Sequence, residues 1–139
     1  MLDLTSLRKA IKSLDTALKV ASSEEQMGKM SQGARETIRA GVIQNFEFTY
    51  ELCWKFMKRW LDNNLGSAYV DGVNRRELFR LAAEHRLITD VEAWMEYHDM
   101  RNETTHTYDE STAEEVYESA VKFINDAEKL FISLEKQND

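Results

Sequence analysis

The chain has 139 residues, 42% of them hydrophobic, with no proline, five glycines and a net charge of −7. That length fits one domain, spanning 1–139, with apolar material for one core, and the shortage of turn residues excludes a many-stranded protein, so the predicted class is all-α. The acidic balance excludes a general polyanion-binding face, and any nucleic-acid contact has to be local.

Leu4, Leu7, Ile11, Leu14 and Leu18 recur at spacings of three and four, with Arg8, Lys9, Lys12 and Lys19 on the other side. They predict an amphipathic first helix of about 18 residues. The charges at Asp3, Arg8, Lys9 and Lys12 do not suit a signal peptide, and no apolar run approaches the roughly 20 residues of a membrane span, so the chain is expected to be soluble and cytoplasmic. Ser22 to Gly33 is polar and carries a Ser23…Gln26 capping pair, the pattern of a loop or a short helical turn.

From about Ala34 to Asn63 the period is helical again. One stripe holds Ile38, Val42, Phe46, Tyr50, Cys53, Met57 and Trp60, and a second holds Ile43, Phe48, Leu52 and Phe56. Apolar groups on more than one face predict a central helix that touches its own bundle and a second subunit, hence a homodimer or higher even oligomer. Cys53, the only cysteine, can form no intramolecular disulfide and reads as a buried small hydrophobe. Glu47, Glu51 and Lys55 step by four, which suits a solvated ion-pair row or, alternatively, a functional carboxylate pair.

Asn63-Asn64-Leu65-Gly66 suits a left-handed helix cap. Asn74…Glu77 resembles a capping box opening a short helix to about Arg86. Thr89…Glu92 is expected to open the next helix, with Val91, Trp94, Met95 and His98 inward. Ser111…Glu114 is expected to open the last, whose stripe is Val116, Ala120, Phe123, Ile124, Ala127, Leu130 and Leu134. Four substantial helices and one short one pack most simply as an up-and-down four-helix bundle with an extra short helix.

The segment Arg101-Asn102-Glu103-Thr104-Thr105-His106-Thr107-Tyr108 brings together a guanidinium, an imidazole and a phenol. Arg offers a fork of donors to phosphate oxygens, His moves protons near neutrality, and Tyr carries a hydroxyl nucleophile. On one continuous helix Arg101 and His106 diverge by about 140°. The weak helix formers Thr104 and Thr105 let the helix end inside the segment, so a helix end or a two-fold-related copy could bring the groups together. The plain structural alternative is Arg101 paired with Glu103 or Asp99 and Tyr108 tucked against a neighbour. His85, His98 and His106 lack zinc-ligand spacing, and neither a metal nor a cofactor is expected.

Over nearly its whole length the chain resembles the HEPN-domain proteins of the HepT-like, nucleotidyltransferase substrate-binding family. Three blocks carry the likeness: Val42 to Lys55, Arg76 to Arg80, and Asp99 to Asp109. The resemblance implies a helical bundle that dimerises, with the Arg and His segments of two subunits in one cleft. It implies ribonuclease roles for Arg101 and His106, AMP acceptance at Tyr108, and supporting or binding roles for Asn102, Asp99 and Glu47. It also implies a small nucleotidyltransferase as partner. Gly66-Ser67 is followed by no Asp-x-Asp, so that partner is a separate protein. Two readings follow: a metal-independent ribonuclease toxin controlled by AMP transfer, or a nucleotide- or substrate-binding subunit for the partner. A non-catalytic nucleotide-binding or structural adaptor dimer is the alternative to both.

Overall fold

In the computed structural model, which describes residues 1–138, the periodic segments form seven α-helices and one 3-10 turn, with no strand among the described residues. α1 (Thr5–Ser22) buries Leu7, Ile11, Leu14 and Leu18, as its spacing predicts. α2 (Glu24–Gly28) is a short turn of helix capped by Ser23, whose hydroxyl accepts from the Gln26 N–H at 3.2 Å. α3 (Gln32–Leu65) begins two residues before its predicted start, because the Ser31 hydroxyl accepts from the Ala34 N–H at 3.1 Å. α4 (Ser67–Val70), α5 (Arg75–Glu84), α6 (Val91–Glu103), the 3-10 turn (Thr104–His106) and α7 (Glu110–Lys136) complete the chain. α7 buries all seven residues of its predicted stripe. No helix among the described residues is long and apolar enough to cross a membrane.

Side-chain pairings fix the helix directions. Thr49 donates to the Ala10 carbonyl at 3.2 Å and Ser13 to Asn45 at 2.7 Å, so α1 and α3 are antiparallel. Tyr50 meets His98 and, one turn earlier on α3, Glu47 meets Arg101, which sets α6 antiparallel to α3. Arg39 meets Glu114, Phe46 meets Phe123 and Trp60 meets the Gln137 carbonyl, so α3 and α7 run parallel. The bundle is therefore up-and-down, with α3 and α7 facing each other across its short diagonal and α1 and α6 on the outside.

Aromatic packing fills the middle. The Phe123 ring lies 5.2 Å from Phe46, 5.6 Å from Trp94 and 5.0 Å from Tyr97 by centroid, each in edge-on geometry. Tyr97, absent from the predicted inner face of α6, is fully buried and donates its hydroxyl to the Asp126 carboxylate.

The aromatic residues carried by α3 on its several faces are covered to different extents. Phe46, Tyr50, Phe56 and Trp60 are all buried within one subunit, Trp54 is half-buried, and of the aromatics only Phe48 stays well exposed, at 56%. Helices α1, α5, α6 and α7 pack around α3 and cover most of both stripes, and of the second stripe Phe48 stays exposed and Leu52 half-buried.

Helix ends also differ. Gly66 has the positive φ expected of a cap, 93°, but its ψ of 144° is extended, so it is no left-handed cap. α5 starts as predicted, Asn74 accepting from the Glu77 N–H at 2.8 Å, yet the Glu77 carboxylate turns to Arg80 instead of closing the box. The helix stops at Glu84, and Arg86 takes a positive φ of 63°. Asp90, not Thr89, caps α6, accepting from the Ala93 N–H at 3.0 Å. Asp109, not Ser111, stands before α7, its carboxylate accepting from the Ser111 and Thr112 hydroxyls.

A Cβ at Gly66 would meet nothing within 4 Å, so only backbone strain opposes substitution there. Gly66→Ala is expected to cost about 1–3 kcal/mol in urea denaturation. A neutral result would mean that the turn adopts another conformation.

Candidate functional site

Threonine hydroxyls break α6 within the Arg101 to Tyr108 segment. Thr104 donates to the Arg101 carbonyl at 2.7 Å, Thr105 to Asn102 at 3.4 Å and Thr107 to Thr104 at 3.3 Å. These bonds reach back three residues, the reach of the 3-10 turn that follows α6. The helix thus ends inside the segment, as the run of weak helix formers predicts.

Arg101, in the last turn of α6, points inward against α3. Its Nε donates to Glu51 Oε1 at 3.0 Å, its Nη2 lies 3.4 Å from Glu47 Oε1, and its Nη1 leans on the Thr104 hydroxyl at 3.5 Å. Only 25% of the side chain is exposed. Glu47 and Glu51 therefore grip a residue of another helix rather than forming a solvated row with Lys55. Neither Glu103 nor Asp99 pairs with Arg101, contrary to the plain structural alternative.

A second layer supports this grip. Glu51 Oε2 accepts from Trp54 Nε1 at 3.0 Å, and the Arg75 guanidinium lies 3.5 Å from the center of the Trp54 ring. The Tyr50 hydroxyl and His98 Nδ1 are 2.9 Å apart. Burial, followed by the nearby Arg75 cation, holds the His98 imidazole below its ordinary value, so it is neutral near pH 7.

His106 and Tyr108 lie on the outer side of the turn. His106 is exposed, and its ring centroid is 6.2 Å from that of Tyr108. Tyr108 is 87% exposed, not tucked away. Asn102 and Asp99 are exposed as well and join neither cluster by a side-chain hydrogen bond among the described residues. A groove of about 1090 Å³ passes Glu47, Thr104 and Tyr108 and runs along α3 to Arg39 and Arg35.

The structure therefore brings Arg101 to Glu47, and His106 to Tyr108, while no hydrogen bond joins Arg101 to His106 within one subunit. Sequence reasoning gave Glu51 only as half of an alternative carboxylate pair and gave Trp54, Tyr50, His98 and Arg75 no role at the site. The signal for Glu51 was its four-residue step from Glu47 on a helix with an unassigned face.

Compared with known proteins, residues 2–136 match the model of the family described as nucleotidyltransferase substrate binding protein like. A Haemophilus influenzae protein named probable ribonuclease HepT is 33% identical over 138 residues, covering 99% of this chain and 94% of that protein. A solved Haemophilus influenzae structure, described as revealing the fold of a substrate binding domain of a nucleotidyltransferase, superposes with a TM-score of 0.91 at 33% identity. It covers 96% of this chain and 99% of its own. A Thermus thermophilus structure superposes with a TM-score of 0.68 at 26% identity, covering 94% and 99%.

Proposed function

Because the chain belongs to the nucleotidyltransferase substrate binding protein like family, we propose that it works with a separately encoded small nucleotidyltransferase as a metal-independent ribonuclease whose activity is controlled by AMP transfer to Tyr108. The observation that carries this reading is the outward placement of Tyr108 beside His106, at the edge of a groove. An acceptor hydroxyl has to be reachable by another protein's active site. Tyr108 is reachable, and whatever is added to it crowds His106.

In the ribonuclease step, the ribose 2′-oxygen attacks phosphorus and the bond to the 5′-oxygen breaks, giving a 2′,3′-cyclic phosphate and a 5′-hydroxyl. His106 takes the 2′ proton or supplies one to the leaving oxygen, and Arg101 faces the charge that grows on the phosphoryl oxygens. In the control step, the Tyr108 hydroxyl oxygen attacks the α-phosphorus of ATP. The phenolic proton is lost and pyrophosphate leaves. The resulting phosphodiester puts a negative charge next to His106 and competes with RNA for the same space.

The test is mass spectrometry after incubation with the partner nucleotidyltransferase and ATP. The Tyr108 peptide should gain one or more AMP units, and Tyr108→Phe should abolish the gain. Modification unchanged in Tyr108→Phe would rule the site out.

Two copies would pair so that their Arg101 to Tyr108 segments share one cleft. In favour of this stands the separation of Arg101 and His106 within a subunit, each bound into a different cluster. Sedimentation at micromolar concentration should give a dimer or higher even oligomer, and a monomer would overturn the pairing.

The substrate-binding reading uses the same groups without turnover. It gains from the grip of Glu47 and Glu51 on Arg101, because two carboxylates offset one cation and phosphate has to compete with them. Cyclic-phosphate ends produced by the purified protein alone would decide against it.

A further inference from the structure

The imidazole that shares a helix face with Arg101 is His98, not His106. Residues three apart on a helix are surface neighbours, and His98 and Arg101 stand on consecutive α3 partners, Tyr50 and Glu51. Tyr50 is fully buried, and its hydroxyl proton needs an acceptor. Its hydrogen-bond partner is His98 Nδ1, and the adjacent Arg75 can only donate. Tyr50 therefore donates to Nδ1, which fixes the neutral tautomer carrying its proton on Nε2. That Nε2 has no hydrogen-bond partner among the described residues and is not sealed from solvent.

Arg101 alone is poorly furnished for a phosphodiester. Two of its three nitrogens face carboxylates, which leaves Nη1, held only by the 3.5 Å contact with Thr104. A phosphodiester has two non-bridging oxygens. The Thr104 hydroxyl is already spent on the Arg101 carbonyl.

We propose that His98 is a phosphate-binding residue, donating its Nε2–H to one non-bridging oxygen while Arg101 Nη1 serves the other. The assignment rests on the reading of the Arg101 segment as a phosphate site and adds a residue to it. The groups that set the imidazole's charge are Tyr50 and Glu51 from α3, Arg75 from α5, and Asp99 and Arg101 from α6. Burial and the two arginines outweigh Glu51 and Asp99, so the donor is neutral near pH 7. As pH falls, a proton arriving on Nδ1 would oppose the Tyr50 hydroxyl, and the arrangement would be lost.

The experiment is a titration of the full chain with inorganic phosphate at pH 7.5, followed by nitrogen-15 NMR of the imidazole and guanidinium side chains. His98 Nε2–H and the Arg101 side chain should shift together, with one dissociation constant. His98→Leu should weaken phosphate binding about ten- to a hundredfold, the share of one hydrogen bond to a charged group, and His98→Gln, which keeps an N–H near the Nε2 position, should recover part of the loss. A shift at Arg101 with none at His98 overturns this assignment and leaves the phosphate-site reading intact. No shift at either overturns both. If His98→Leu does not fold, the wild-type titration alone decides.

Discussion

Replacing His106 by alanine is expected to remove at least about a hundredfold of any RNA cleavage, the usual contribution of a positioned acid or base. Stability should change by no more than about 0.5 kcal/mol, because the exposed ring contributes nothing to the core. Arg101→Ala should cost about as much activity through lost stabilisation of phosphoryl charge, but it should also disturb folding. Removing that cation leaves Glu47 and Glu51, four residues apart on α3, without their shared partner. The two variants thus separate chemistry from scaffold. Product analysis should show cyclic-phosphate ends, and cleavage should survive EDTA. Activity abolished by chelation would overturn the assigned roles.

The largest expected loss of stability lies at Phe123. Its ring is fully buried where α3, α6 and α7 meet, packed edge-on against Phe46, Trp94 and Tyr97. Phe123→Ala removes the ring and leaves a cavity that rigid neighbours cannot fill, at a cost of about 3–5 kcal/mol. Against a total stability of about 5–15 kcal/mol, that brings the protein close to unfolding. Urea denaturation measures it, and a loss below about 1 kcal/mol would mean that the layer repacks.

α1 and α7 were legible because each buries one stripe, which leaves a clean period in the chain. α3 was legible as a helix but not as a surface. Ile43 and Phe56 lie off its main stripe and are buried within the subunit, whereas Phe48 stays exposed, so part of its apolar breadth records its central position in the bundle. The caps were misplaced by one or two residues at Asp90 and Asp109, where neighbouring side chains can cap equally well and only the approach of the backbone chooses. In the site, the helix break at Thr104 could be read from local chemistry. The grip of Glu51 on Arg101 spans 50 positions and the Tyr50 to His98 bond 48. Such contacts depend on which faces two helices turn to each other, and a local pattern does not encode that.

The threonine-held turn between α6 and α7 has a consequence for exchange with solvent. Amides in the interior of α7 belong to a continuous ladder over a buried stripe, whereas the segment bearing His106 and Tyr108 rests on hydroxyl-to-carbonyl bonds and a few isolated backbone bonds such as Asp109 N–H to His106, at 3.2 Å. Its opening free energy is correspondingly set by a few local bonds, not by the unfolding of the bundle. In deuterium exchange the amides of residues 105–109 would take up label well before those around Phe123. His106 and Tyr108 therefore ride on a small unit that opens and recloses on an intact scaffold, so the segment can tolerate changes in sequence or attached groups that the aromatic layer cannot.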